Sequence, residues 1–260
     1  MSTVAQASLL SVRNLVVRFG GILALDGVAF DLPTQGICGL IGPNGAGKTA
    51  LFNCLSRIYT PTSGEILFEG KSLLTREQHE VAAIGVGRTF QHFALFENFT
   101  VLENIAMGCS SRATTGYIAG ALRTPRVRAE EVGFRDRSMA VAKLLDLDKL
   151  ADRVVNDLPS AARRRVEIGR ALVGEPKLLL LDEPAAGLSH LEAQELEHLI
   201  RHIHDRFQVT IFLVEHHLNL VMQVCDRVIA MDFGRKIADG TPQEVQQDEN
   251  VIRVYLGAEA

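Results

Sequence analysis

The run Gly42-Pro43-Asn44-Gly45-Ala46-Gly47-Lys48-Thr49 reads G-x-x-x-x-G-K-[ST], preceded by a short apolar segment at 37–41 and followed by a predicted helix at 48–56. In that context the pattern describes a phosphate cradle. The glycines let backbone N–H groups converge on phosphate oxygens, and the helix N-terminus adds partial positive charge. Lys48 is placed to bridge β- and γ-phosphates, and the Thr49 hydroxyl to hold Mg²⁺.

A cradle binds nucleotide, but hydrolysis also needs a carboxylate on the metal side and a group that orients water. The stretch 177–184 supplies both: four leucines, then Asp182 and Glu183. The leucines predict a buried strand, and ligands of open α/β sheets sit beyond the C-terminal ends of such strands. Asp182 is thereby directed toward Mg²⁺ and Glu183 toward the attacking water, as general base. An acidic pair after four leucines is usually a solvated strand end. Its co-occurrence with Lys48 and Thr49 turns it into a hydrolytic site.

These residues need a scaffold, and the hydrophobic pattern provides one. Segments 9–19 and 25–32 read as antiparallel strands, with a turn at Asp26-Gly27. From 36 onward strand and helix alternate: strand 37–41, helix 48–56, strand 65–69, amphipathic helix 77–83. Strand signals vanish from 92 to 159, where 101–107, 128–147 and 148–153 read as helices. Buried strands return at 177–181 and 209–214, joined by a crossover helix at 189–207, before a hairpin around Phe233-Gly234 and short helices ending at 256. The fold class is α/β: a mainly parallel sheet with an antiparallel β portion (1–91 and 160–240), an inserted helical subdomain (92–159) and a helical tail (241–260), all within one unit.

Composition agrees. The chain has 260 residues, 47% hydrophobic and 22% charged, which excludes disordered, collagen-like and coiled-coil classes. A formal net charge of -4 argues against nucleic acid as a partner. Cys38, Cys54, Cys109 and Cys225 form no C-x-x-C pair, so neither a disulfide framework nor a zinc site is expected. His198 and His202 stand four apart on a predicted helix without a third ligand nearby, and the arginines from 123 to 137 read as a solvated face. The longest charge-free stretch, 32–47, is broken by prolines and glycines, so a soluble chain is expected, with any membrane role exercised through a partner.

The cradle at 42–49, Arg88-Thr89-Phe90-Gln91, the strand ending in Asp182-Glu183, Ala186-Gly187-Leu188-Ser189 and Val214-Glu215-His216 together resemble, in order and spacing, the ATPase subunit of ABC transporters. The resemblance covers essentially the whole chain. Phe19-Gly20-Gly21 and the stretches 87–91, 182–188 and 238–242 narrow it to the LivG-type subunits of branched-chain amino acid importers. The resemblance implies a fold of the P-loop NTPase class with ATP and Mg²⁺ as cofactors. Phe19 would stack on adenine, and residues 42–50, from Gly42 through Ala46 to Ala50, would contact phosphates. Thr49, Gln91 and Asp182 would serve the metal; Glu183, His216 and Gln91 would act in catalysis, His216 on the γ-phosphate.

It further implies a dimer in which two chains sandwich each ATP, the second ATPase subunit being a copy or a paralogue. Transmembrane permease subunits and, indirectly, a solute-binding protein complete the assembly at the cytoplasmic face of the cell membrane. Two departures stand out. The signature loop, Leu-Ser-Gly-Gly-Gln in the family, is here Leu158-Pro159-Ser160-Ala161-Ala162, and Ala50 replaces a second hydroxyl after Lys-Thr. A nucleotide-binding regulatory subunit of low turnover and a non-transport ABC ATPase are the competing readings.

Overall fold

The computed structural model describes residues 8–90, 94–112 and 125–256. Strand β1 (Ser8–Phe19) turns at Gly20-Gly21 into β2 (Ile22–Pro33), and β3 (Ile37–Ile41) leads to helix α1 (Lys48–Leu55). Next come β4 (Ser63–Phe68), β5 (Lys71–Ser72), α2 (Gln78–Ala83) and β6 (Val86–Arg88). The described part of 94–158 is helical, with α3 (Val101–Ala106) and α4 (Pro125–Leu144), apart from one isolated antiparallel bridge between Thr100 and Val154. Then follow α5 (Ser160–Leu172), β7 (Leu178–Asp182), α6 (His190–Phe207), β8 (Thr210–Val214) and α7 (Leu218–Val224). The hairpin β9 (Arg227–Asp232) and β10 (Arg235–Gly240) precedes α8 (Pro242–Gln247) and α9 (Glu249–Leu256).

Among the described residues the strands form two sheets: an antiparallel one ordered β2-β1-β4-β5, and one ordered β10-β9-β3-β8-β7-β6 that is parallel except for the β9–β10 pair. Strand β7 shows why the sheets stack. Leu178 and Leu180 pack with Phe212, Leu40 and α1 against β1, β2 and β4, whereas Leu179 and Leu181 pack on the other face with Leu172, Ile200 and Ile203. A strand alternates its side chains, so one covered on both faces must be apolar throughout. Charge becomes tolerable only where β7 emerges, at Asp182 and Glu183.

Several expectations are corrected. Asp26-Gly27 makes no turn: it lies within β2, where the pairing register shifts between Leu15 and Val17 and Gly27 takes a φ of +73°. A bulge uses the same dipeptide chemistry as a turn. The predicted helix at 148–153 is only a 3₁₀ turn, Asp148–Leu150, and α4 begins and ends three residues earlier than expected. Strand β6 and helix α7 were not anticipated.

Candidate functional site: a phosphate loop facing two acidic strand ends

The loop 42–47 connects β3 to α1, and its shape is set by close packing. Gly47 caps α1 at φ +97°, where a Cβ would stand 2.5 Å from the Ala24 carbonyl oxygen. Gly45, at φ +82°, is exposed, and a Cβ there would meet nothing within 4 Å. One glycine thus presses the loop onto β2, and the other turns the chain toward open space. The Ala46 amide donates to Pro43 O at 3.2 Å, and Ala46 O accepts from Gly234 N at 3.1 Å, pinning the loop to the β9–β10 turn. Helical bonding begins with Leu51 N on Gly47 O at 2.9 Å, which leaves the amides of Lys48, Thr49 and Ala50 directed outward as an anion cradle. Thr49 is exposed on this first turn, while the Ala50 methyl is buried in the core, so Ala50 offers its backbone alone.

Lys48 is buried, its Nζ donating to Gly42 O at 2.6 Å and Pro43 O at 2.9 Å. Burial pulls its pKa down, and the nearby carboxylates of Glu183 and Asp182 act in the opposite sense. The lysine predicted to meet phosphate and the two acids predicted to serve metal and water therefore share one electrostatic neighbourhood, although about 134 positions of sequence separate Lys48 from Asp182.

Asp182, 3% exposed, accepts from Arg88 Nη2 on Oδ2 at 2.8 Å. Arg88 also donates through Nη1 to Phe52 O, Asn53 Oδ1 and Ser56 Oγ, joining the last turn of α1 to the end of β7. Glu183 adopts a left-handed φ of +48°, which turns its side chain out of the strand line. His216, two residues past β8, places Nε2 2.6 Å from Glu183 Oε1. Between them Glu215, 1% exposed, accepts from the amides of Ala185, His216 and His217.

Phe19 is 46% exposed at the rim and meets Tyr59 edge to face at a centroid distance of 5.0 Å. Gln91 lies outside the described residues. The segment before it is held by α5: Glu167 Oε1 accepts from Phe90 N at 3.1 Å, Arg164 Nη1 donates to Phe90 O at 3.2 Å, and the two side chains pair at 2.8 Å. Burial pushes the Glu167 carboxyl up, opposed by that amide and by Arg164. The altered signature forms the start of α5, with Pro159 as N-cap and no side-chain capping bond; Ser160 is exposed, Ala161 and Ala162 partly so. At the other end of the chain, burial pushes the Tyr255 hydroxyl up in pKa, and the nearby Gly42 backbone acts in the opposite sense.

Sequence reasoning missed Arg88 and Glu215 as site residues, together with the Arg164–Glu167 bracket and Tyr255. Arg88 and Glu215 stood inside quoted motifs, and only their burial distinguishes them. Of the arginines from 123 to 137, Arg126, Arg128 and Arg135 are exposed on α4, Arg137 is half-buried with Nε 3.5 Å from Glu175 Oε1, and Arg123 lies outside the described residues; His198 and His202 join no group of three metal-ligating side chains among the described residues. All four cysteines are buried and free.

A phosphate loop after β3, a histidine just past the end of the adjacent parallel strand β8 and an acidic pair at the end of the next one, β7, define a P-loop ATPase of the ABC class. The chain belongs to the ABC transporter family: residues 25–186 match that family, and residues 235–260 match the family described as branched-chain amino acid ATP-binding cassette transporter. It is 42% identical to the high-affinity branched-chain amino acid transport ATP-binding protein LivG of Escherichia coli (strain K12), covering 96% of this chain and 98% of that one. It is 37% identical, with the same coverage, to the corresponding protein BraF of Pseudomonas aeruginosa. Among solved structures, an ATP-binding cassette of an ABC transporter in its ADP conformation superposes with a TM-score of 0.81 at 28% identity, covering 96% of this chain and 99% of that one. The chain is thus an ATP-binding, ATP-hydrolysing ABC subunit, and among its described residues no helix is long and apolar enough to cross a membrane.

Proposed function

We propose that this chain powers an importer for branched-chain or related amino acids from the cytoplasmic face of the membrane. It would work there as a peripheral subunit with transmembrane permeases, a second ATPase subunit and, indirectly, a solute-binding protein. The observation that carries the reading is the meeting of Lys48, Asp182, Glu183 and His216 beyond the ends of β3, β7 and β8. The names of LivG and BraF, and the match over 235–260, support the solute class.

In this reading the amides of 45–50 and Lys48 grip the β- and γ-phosphates and Phe19 supports adenine. Thr49 and Asp182 suit Mg²⁺: Thr49 is exposed on the first turn of α1, and among the described residues Asp182 Oδ1 has no hydrogen-bond partner while Oδ2 is held by Arg88. The metal would offset phosphate charge. Glu183 takes the proton of the attacking water, and His216 fixes the Glu183 carboxylate while facing the γ-phosphate. Gln91 would join the residues that hold Mg²⁺, and 92–159 would act as the helical subdomain that meets the permease. The test is steady-state ATP hydrolysis in the presence and absence of the permease subunits, followed by uptake of labelled leucine in vesicles. Hydrolysis without leucine-dependent uptake would reject the solute assignment alone.

A second reading, a low-turnover regulatory subunit, is favoured by one observation: the start of α5 carries Pro159, Ser160 and Ala161 instead of a hydroxyl and two glycines. A Cβ at 161 hinders close approach of backbone to phosphate. A turnover that stays near background with the cognate permease present would favour it.

A further inference from the structure

One buried carboxylate near the site takes no part in the steps above. Glu215 follows β8 directly and precedes His216, and at 1% exposure it has no contact with bulk water. Its Oε1 accepts from Ala185 N at 2.7 Å, and its Oε2 from His216 N at 3.1 Å and His217 N at 3.5 Å. Its own N–H donates to Leu40 O on β3 at 3.4 Å, one residue pair before the phosphate loop begins. Ala185 opens the turn that carries Ala186 and Gly187, both exposed, up to the capped start of α6 at Ser189. A carboxylate withdrawn from water is retained only where its lone pairs are filled. Here backbone donors from two different loops fill them.

We propose that Glu215 is the positioning residue of the catalytic pair: by bridging Ala185 N and His216 N it fixes where the imidazole stands against Glu183, and it passes displacements of the 186–187 turn to that pair. The proposal rests on the ATPase reading for its kinetic arm. Glu183 and Ala185 flank Pro184, Glu183 N bonds to Val214 O at 3.0 Å, and His216 reaches back to Glu183 at 2.6 Å, so 183–185 and 214–216 form a closed ring of contacts. Glu215 is a side chain of the ring that binds both backbones. Without it the His216 backbone loses its tie to the 183–185 loop and the ring is held only through its contact with Glu183, and misplacement of a catalytic group by about 1 Å lowers turnover by up to ~100-fold.

The experiment compares Glu215→Gln and Glu215→Asp with the full-length wild type. Glu215→Gln keeps the shape but turns one acceptor into a donor that faces backbone N–H groups. Glu215→Asp keeps the charge but is one methylene too short to span both loops. Both are expected to lower kcat by about 10- to 100-fold, with KM for ATP within about two-fold of wild type, and to shift the His216 ring signals in spectra of histidine-labelled protein. Unchanged kcat in a folded variant, or recovery in Glu215→Asp, would overturn the bridge. An equal loss in ATP affinity would also overturn it, by showing a general structural role. An independent measurement uses the wild type alone: amide hydrogen exchange at Ala185 and His216 is expected to be slow and to share one opening event, and fast exchange at Ala185 defeats the proposal. That arm stands even for a wild type without hydrolysis, an outcome that rejects the functional reading and not the bridge.

Discussion

His216 Nε2 stands 2.6 Å from Glu183 Oε1, although the two residues come from different strand ends and Glu183 reaches the contact only by adopting a left-handed backbone at φ +48°. A non-glycine residue in that region carries backbone strain, which persists at functional sites when surrounding contacts determine it. Here the Glu183 amide on Val214 O and the imidazole on its carboxylate do so. Glu183→Gln, which keeps the shape and removes the base, is expected to bind ATP as wild type does and to hydrolyse it at least ~100-fold more slowly. Equilibrium nucleotide binding and single-turnover hydrolysis check the two halves separately.

Lys48→Ala removes the buried ammonium that bonds the Gly42 and Pro43 carbonyls. Loss of tight ATP binding and of hydrolysis together is expected, measured by nucleotide titration. Wild-type affinity in this variant would show that the loop amides suffice and that Lys48 is not the phosphate ligand.

Arg88 and Asp182 form a pair with side chains 8% and 4% exposed. Breaking a buried pair from one side leaves an uncompensated charge and costs about 3–5 kcal/mol. Arg88→Met is therefore expected to destabilise the fold by that amount in urea denaturation, with Arg88→Lys falling between it and wild type. Stability of Arg88→Met within the error of wild type would mean that Asp182 finds another partner.

Phe96 and Phe99 stack at 5.2 Å with 45% and 41% of their surfaces exposed, shortly after Gln91. Phe93, two residues past Gln91, lies outside the described residues. Exposed aromatic pairs of this kind serve as contact sites. Phe96→Ala is expected to lower leucine uptake in reconstituted vesicles while the ATPase of the isolated subunit stays within about two-fold of wild type. Equal loss of both activities would place the contact elsewhere.

The altered signature gives a directional expectation. If two chains sandwich each ATP and the second is a paralogue, the loop at 159–162 of this chain acts on the nucleotide held by the partner. Ala161→Gly together with Ala162→Gln is then expected to raise hydrolysis at the partner's site by up to ~100-fold, the rate equivalent of recovering about 1–3 kcal/mol. Single-turnover hydrolysis with this chain's own site disabled by Glu183→Gln reads it. No gain would show that Ser160 already serves the phosphate.

The phosphate loop and the acidic strand end were legible in the sequence because each is contiguous: the chemistry of Lys48 and Thr49, or of Asp182 and Glu183, is written within a few residues of the strand that aims it. The parallel core was legible for the same reason, through runs such as Leu178–Asp182 that are apolar on both faces. What escaped is long-range. Arg88 meets Asp182 across 94 positions, Phe90 meets Glu167 across 77, and Ala185 meets Glu215 across 30. No local spacing encodes these pairs. Strand β6 has three residues, too few for an alternation to register, and Asp26-Gly27 carries a turn signal that the fold uses to bend a strand while the reversal itself falls at Gly20-Gly21.

The tail has a consequence beyond packing. Tyr255 belongs to the segment 235–260 that matches the branched-chain group specifically, and its half-buried hydroxyl feels the backbone of Gly42, the first residue of a loop common to nucleotide-binding proteins at large. Arg253 and Val254, on the same helix, line a cleft of about 340 Å³ with Pro43, Asn44, Gly45 and Ala46. The part of the chain that sets its subgroup apart thus touches the part that its widest kin share. Divergence at the tail is felt at the phosphate loop, and a tag, fusion or truncation placed there is an alteration of the nucleotide site itself.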